Sequence, residues 1–493
     1  MTWPLAGMAQ DADSKTPLEI VIRAPLIETR WQEATSGVTV IGEQDIGDGR
    51  APLQPTDALS NAPGVLVQNR NNFAQNPRVS IRGFGSRAPF GIRGVRVRLD
   101  GIPLTTVDGQ AQIDAIDPSS IQTIEVLRGA NAVLHGNSSG GLLDYRSITP
   151  WQPPLARIET QLGDYGLRRL HGAFSKQHNK AAFRGAVTGL KQDGYREQSA
   201  VERLNLGLRL DHRDGNRNWF AILNHLDNPL AEDHGALTLS ELNNDPSRAA
   251  PLANAMNSGK EVRQSIASLG VTQRLGGDGH HLRAQGWLTS RDFQQQLPFP
   301  GASLIAYDRR IIGGALHYQR PLGSLTLHGQ LSLEDQEDDR QRYCRNVRLE
   351  PYTCRNGNTD DLALDQLESA GNAGLGLQLD GPVMDERGRW IIGLRYDHLR
   401  MAIDDRLQAG GIDNSGERVY DETHYSLGYN HKLDQRWNAF GQYATSFEAP
   451  TFTEFANPAG SGFRPGLEPQ TSRSLEIGLR AQLASAQLEA SLF

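Results

Sequence analysis

The sequence predicts two parts, a small N-terminal α+β domain and then a long antiparallel β-barrel that crosses a membrane. Three observations carry this. From Ala156 onward the apolar side chains repeat with a period of two, not 3.6. The residues between them are polar or fully charged, so each strand has one apolar and one hydrophilic face. No run of ~18 apolar residues exists, so no transmembrane helix is available and only strands could cross.

Bulk composition is permissive. The 493 residues carry a net charge of −7, with 22% charged side chains and 52 glycines. A large soluble enzyme could share these figures, so they select no class by themselves. The mild acidity gives no electrostatic footprint for nucleic acid.

Residues 1–9 read as the remnant of a secretory signal. Gly7 and Ala9 supply small residues at the −3 and −1 positions before the polar Gln10–Ser14. A positive n-region is missing, so a plain polar tail remains the alternative. Residues 10–50 are irregular except for Leu18-Glu19-Ile20-Val21-Ile22, an extended β-branched run that suits either strand addition to a partner or a first strand of the domain.

Thr56 is placed to cap a short helix over 57–62, stopped by Pro63-Gly64. Val65–Val67, Val79–Ile81, Val95–Leu99 and Ile124–Leu127 read as strands. Three polar loops, Gln68–Pro77, Ser86–Arg93 and Thr105–Gln112, separate them. Gly83-Phe-Gly85 and Gly136–Gly141 lack the spacing and the Lys-Ser/Thr ending of a nucleotide site, and read as tight turns that need positive φ.

In the second part, Leu204, Leu206, Leu208 and Leu210 alternate with Asn205, Gly207, Arg209 and Asp211. The pattern returns around Leu325–Leu333, Leu375–Leu379 and Leu475–Leu483. Trp390 with Tyr396, and Trp437 with Tyr443, sit on such apolar faces near strand ends, as aromatic girdles do. Short turns (Asp211–Asn218, Gly276–Gly279) alternate with long loops (227–262, 335–362), which fits periplasmic turns and extracellular loops.

Two cysteines occur, Cys344 and Cys354. Their closeness in a polar stretch suits a disulfide that closes a loop in an oxidising compartment, with two unpaired surface thiols as the alternative. A zinc site is not expected, since no other cysteine exists and no histidine lies close by in sequence. No Ser/His/Asp spacing marks a catalytic site. His280-His281 sits in a Gly-rich turn and reads as solvated, so neither a cofactor nor a metal is expected.

Three segments now combine. Val79-Ser-Ile-Arg-Gly-Phe-Gly85, Val95-Arg-Val-Arg-Leu-Asp-Gly-Ile-Pro103 and Ile124-Glu-Val-Leu-Arg-Gly129, continuing to Asp144, resemble in order and spacing the plug domain of TonB-dependent outer-membrane receptors. The resemblance implies a plug over 51–150, and over 151–493 a partial transmembrane barrel with roughly fifteen of the family's ~22 strands. On that reading the chain is C-terminally truncated. It also implies a monomer in outer-membrane lipid, not an enzyme, driven by the TonB–ExbB–ExbD complex. Leu18–Ile22 then stands where the family's TonB box lies.

The same resemblance implies uptake of a scarce anionic solute, with ferric siderophores or other iron chelates as the common cargo. Gln68–Gln75, Ser80–Arg87, Asp108–Gln110 and Phe447–Glu454 look like the branch that includes the pyrroloquinoline quinone receptor, so a small acidic quinone cofactor is the alternative. His135, where the family usually has Tyr, and Leu142–Tyr145 depart from the pattern. Arginine forks suit either anion. Arg70, Arg87 and Arg93, with Asn71, Asn72 and Phe73, are the ligand candidates; contact with the barrel wall is their other reading. Arg82 and Arg128 occupy motifs whose arginines seat the plug on barrel glutamates, and Glu476 faces inward by parity. A passive porin or a soluble secreted β protein would leave the plug motifs unexplained.

Overall fold

The computed structural model describes residues 20–23, 29–47, 52–69, 71–88, 91–129, 136–152, 155–277, 279–345, 361–383, 387–408, 411–455, 462–483 and 486–493. Among them, no helix is long and apolar enough to cross a membrane.

The N-terminal part is built on a five-stranded sheet in the order Val38–Gly42, Ile121–Arg128, Gly141–Ser147, Val95–Leu99, Ile102–Pro103. Ile121–Arg128 pairs antiparallel with both its neighbours, and Gly141–Ser147 runs parallel to Val95–Leu99. Gly141 begins its strand at φ 140°, and an added Cβ would run into the Leu127 carbonyl oxygen, so only glycine fits there. Val95, Val97, Leu99, Ile124, Val126, Leu143 and Tyr145 are buried in one core. That core also takes in Leu226, Val262, Ile266 and Trp287 from the barrel wall. This main core of the plug is therefore continuous with the inside of the barrel wall.

The second part is one antiparallel sheet of fifteen strands, from Leu155–Leu162 to Gln487–Leu492, each hydrogen-bonded to the next in sequence. Its solvation is inverted relative to a water-soluble protein. Leu204, Leu206, Leu208 and Leu210 are exposed, while Asn205 and Asp211 on the opposite face are buried. Leu375, Leu377, Leu475 and Ile477 point outward in the same way, against buried Gln378, Asp380, Glu476 and Arg480. Leaving a leucine in water forgoes ~1.5–3 kcal/mol, repeated on strand after strand. An apolar surrounding outside the sheet would remove that penalty, and the charged face meets the plug. Trp219, Trp390 and Trp437 stand within the first three residues of strands that leave short turns, which sets an aromatic belt at one end.

Several details differ from the sequence reading. Residues 57–61 form a 3-10 turn, and Thr56 makes no side-chain cap because its own backbone is already right-handed helical. Asp57 closes the turn instead, accepting from the Gln54 N–H at 2.9 Å. Val65–Gln68 and Arg78–Ile81 pair with each other outside the main sheet. The first long loop shrinks to 233–258, and the strand before the second runs on to Arg345, past the expected boundary. The first loop carries two short helices, one with a Thr238/Glu241 capping box. The turn placed at Asp211–Asn218 narrows to Gly215-Asn216. Thr105, Thr106, Val107 and Asp108 are buried rather than looped into solvent. Val107 donates its N–H to Gln336 of the wall at 2.8 Å, and Gln110–Ala111 pairs with Ile92–Arg93.

Candidate functional site

Two arginine systems link plug and barrel. The first is buried. Arg82 sits in a turn at φ 51° and directs its guanidinium to Glu476. Glu476 also accepts from the Gly37 N–H at 3.2 Å. Arg128 ends the plug strand Ile121–Arg128 and meets Glu489 at 2.8 Å. Burial lowers the Arg128 pKa from its ordinary value, and the Glu489 charge offsets part of that. Arg480 joins the network, 2.8 Å from the second Glu489 oxygen, and donates to the Ala34 and Ser36 carbonyls. Glu476 thus receives Arg82, while Arg128 takes a different carboxylate. Glu489 and Arg480 were missed, though Gln487-Leu-Glu-Ala-Ser-Leu492 alternates and parity puts Glu489 on the polar face.

The second system lies at the apical end and is half open. Arg93 is held three ways by the segment after strand Trp437–Glu448: Glu448 at 2.7 Å, Glu454 at 2.8 Å and the Ala449 carbonyl at 3.0 Å. Burial would raise the Glu454 carboxyl, but the Arg93 hydrogen bond and charge hold it below the usual range. Arg87 reaches the same carboxylates only at 3.5 and 3.9 Å, and its side chain is 60% exposed. A cavity of about 290 Å³ beside it is lined by Arg82–Ala88, Arg93, Glu448 and Gln470. Gly85 lines it at φ 85°, where a Cβ would stand 2.6 Å from the Arg93 carbonyl oxygen.

The remaining ligand candidates part company. Asn72 is buried and donates to Asp233 of the barrel at 2.7 Å. Phe73 packs beside Leu190, Val201 and Ala231 of the wall. Asn71 is exposed and donates its N–H to Asn69. Arg70 lies outside the described residues. The plug is also tied to the wall by Asp114, at 3.0 Å from Lys260 and 2.8 Å from Arg291. Burial alone would raise the Asp114 carboxyl; Lys260 and Arg291 outweigh it and hold the group well below the usual carboxylate range.

Leu18 and Glu19 lie outside the described residues. Val21–Ile22 pairs with Thr29–Arg30, and Ile22 is fully buried beside Trp31, Val38, Leu127 and Leu142. The end of this segment is therefore folded onto the plug. Cys344 is buried and disulfide-bonded, and Cys354 lies outside the described residues. The His280 ring packs edge-on to Tyr318. Among the described residues, no group of three or more His, Cys, Asp or Glu could hold a metal ion.

Residues 31–142 match the family model described as TonB-dependent Receptor Plug Domain, and residues 150–493 match TonB dependent receptor-like, beta-barrel. The hemin receptor of Yersinia enterocolitica is 31% identical over 130 residues, which are 26% of this chain but only 18% of that protein. The vitamin B12 transporter BtuB of Vibrio vulnificus is 21% identical over 485 residues, 94% of this chain and 68% of that protein. Among solved structures, the ferric citrate transporter FecA in its unliganded form superposes with a TM-score of 0.77 at 18% identity, covering 93% of this chain and 73% of FecA. These relatives are receptors and transporters, not enzymes.

Proposed function

The chain belongs to the TonB-dependent receptor family of outer-membrane β-barrel proteins, and on that premise we propose that it takes up a scarce anionic solute, a ferric siderophore or other iron chelate. The TonB–ExbB–ExbD complex supplies the energy by pairing with Leu18–Ile22 once Val21–Ile22 leaves its strand partner Thr29–Arg30. The observation that carries the anionic cargo is Arg87. Its guanidinium is exposed at the apical end, beside a cavity, and only loosely held by Glu448 and Glu454. Arg93, tied down beside it, fixes the loop that presents it. Iron is favoured by the names of two of the relatives, a hemin receptor and a ferric citrate transporter.

A small acidic quinone cofactor is the second reading. Ser80–Arg87 and Phe447–Glu454, the segments that look like the pyrroloquinoline quinone branch, meet through Arg87, which reaches Glu448 and Glu454. Direct titration of the detergent-extracted receptor separates the two. Saturable binding of a ferric siderophore, weakened at least tenfold by Arg87→Gln, is the expected result. Binding of the quinone alone moves the assignment to the second reading, and binding of neither sinks both.

A further inference from the structure

A second arginine-lined cavity lies at the short-turn end of the barrel, away from the apical loops. It encloses about 250 Å³ between the plug, the linker to the barrel and the wall. Arg146, Arg209, Arg213 and Arg283 line it, against the carboxylates of Asp100 and Asp211. Its aromatic side is Trp151 and Phe220.

The charges in this cavity do not cancel. Asp211 accepts from Arg209 Nε at 2.9 Å and from Trp151 Nε1 at 3.1 Å. Asp100 accepts from the Ser147 N–H at 2.9 Å and its hydroxyl at 2.7 Å, with Arg209 at 3.6 Å. Arg146 is held by Asp144 at 2.9 Å and Glu125 at 3.5 Å. Asp144, whose charge also reaches Arg283, is shared with Arg98 at 2.9 Å. Two guanidinium groups are left over. Among the described residues, neither Arg213 nor Arg283 has a carboxylate within ion-pair distance. Arg283 donates to Gln285 at 3.2 Å, and Arg213 lies 3.9 Å over the Trp151 ring. Phe220 is flanked by Arg283 at 5.5 Å and Arg209 at 5.8 Å, so the forks converge on one apolar floor.

Surplus guanidinium charge in a partly desolvated cavity attracts oxyanions far more strongly than the same charge in water. The volume limits which ones enter. Sites for drug-sized ligands span ~300–1,000 Å³, and a cavity of about 250 Å³ suits a small anion. We propose that it is a binding site for a small oxyanion carrying two or more charges, of the polycarboxylate or phosphate class, held by Arg213 and Arg283. It is separate from the apical cargo site and does not rest on the cargo assigned there. Occupancy would bridge the linker at Trp151, through Arg213, to the barrel wall at Arg283.

Calorimetric titration of the detergent-extracted protein with citrate, and separately with inorganic phosphate, at low ionic strength tests this. A saturable event is expected for at least one probe, and the tighter of the two identifies carboxylate or phosphate as the class. Arg283→Gln and Arg213→Gln should each weaken that event at least tenfold. Arg213 is on the exposed rim, so its variant reports binding even if Arg283→Gln fails to fold. Arg400→Gln, which removes an outward-facing charge far from both cavities, should bind as wild type. The proposal is overturned if neither probe binds saturably, if Arg213→Gln retains wild-type affinity, or if Arg400→Gln loses as much.

Discussion

The two arginine systems that join plug and barrel use the same chemistry for opposite ends. In the seat, Arg82, Arg128 and Arg480 are almost fully buried and each ends on a glutamate or a backbone carbonyl. At the apical end, Arg93 is pinned in the same fashion, but Arg87 beside it keeps most of its surface in water. What distinguishes them is desolvation. A buried guanidinium without its carboxylate is costly, so the seat is a lock; an exposed one loses little when it leaves its carboxylate, which suits the ligand role proposed for Arg87.

The largest effect should come from breaking the lock. Glu476→Ala strands Arg82 in a buried site and should cost about 3–5 kcal/mol, the range for removing one partner of a buried pair. Amide hydrogen exchange in Gly37–Gly42 and Arg78–Ile81 should accelerate accordingly, and unchanged exchange there would remove the seat from the account. Arg128 keeps Glu489 in that variant, so the plug should loosen on the Arg82 side first.

The contact of Asp114 with Lys260 and Arg291 is sensitive to acid. The folded-state pKa of Asp114 is lowered, so its contribution is complete above the ordinary value of ~3.9 and is lost as pH falls through the lower folded value. Plug exchange should therefore rise below about pH 4 in wild type, and Asp114→Asn should flatten that rise. An acid profile that Asp114→Asn leaves unaltered would assign it to other carboxylates.

Cys344 offers a smaller, local test. Labelling of intact cells with a membrane-impermeant thiol reagent should fail without reductant and succeed with it. Reaction without reductant would mean free thiols. The smallest expected change in stability belongs to Arg87→Gln, within about 0.5 kcal/mol as for other exposed substitutions. Ligand affinity should nonetheless fall at least tenfold. A stability loss comparable to Glu476→Ala would show that Arg87 is part of the seat and that the contrast is misdrawn.

How much of this was legible follows from distance along the chain. Alternation is local, so Leu204–Leu210 revealed the lipid face and parity placed Glu476 inside. The same parity reaches Glu489. Contacts that join remote segments left no such trace. Arg480 finds the Ala34 and Ser36 carbonyls from 446 and 444 residues away, and a backbone acceptor has no sequence signature. Asn72 and Phe73 stand in a polar loop that looked open, yet Asp233 and Val201 of the wall engage them. Thr105–Asp108 is equally polar and is buried, with Gln336 of the wall accepting from the Val107 N–H. Polarity marks a loop as able to hydrogen-bond, and the barrel around it decides with what.

The central claim, energised uptake through the plug, is tested most directly by radiolabelled ferric-siderophore accumulation in cells whose receptor carries Ile20→Pro. Proline removes a backbone donor from the segment assigned to TonB and leaves the apical end untouched. Accumulation is expected to collapse to the level of cells lacking TonB, while binding of the chelate at the cell surface persists. Accumulation at the wild-type rate, in this variant and in cells lacking TonB alike, would contradict that claim.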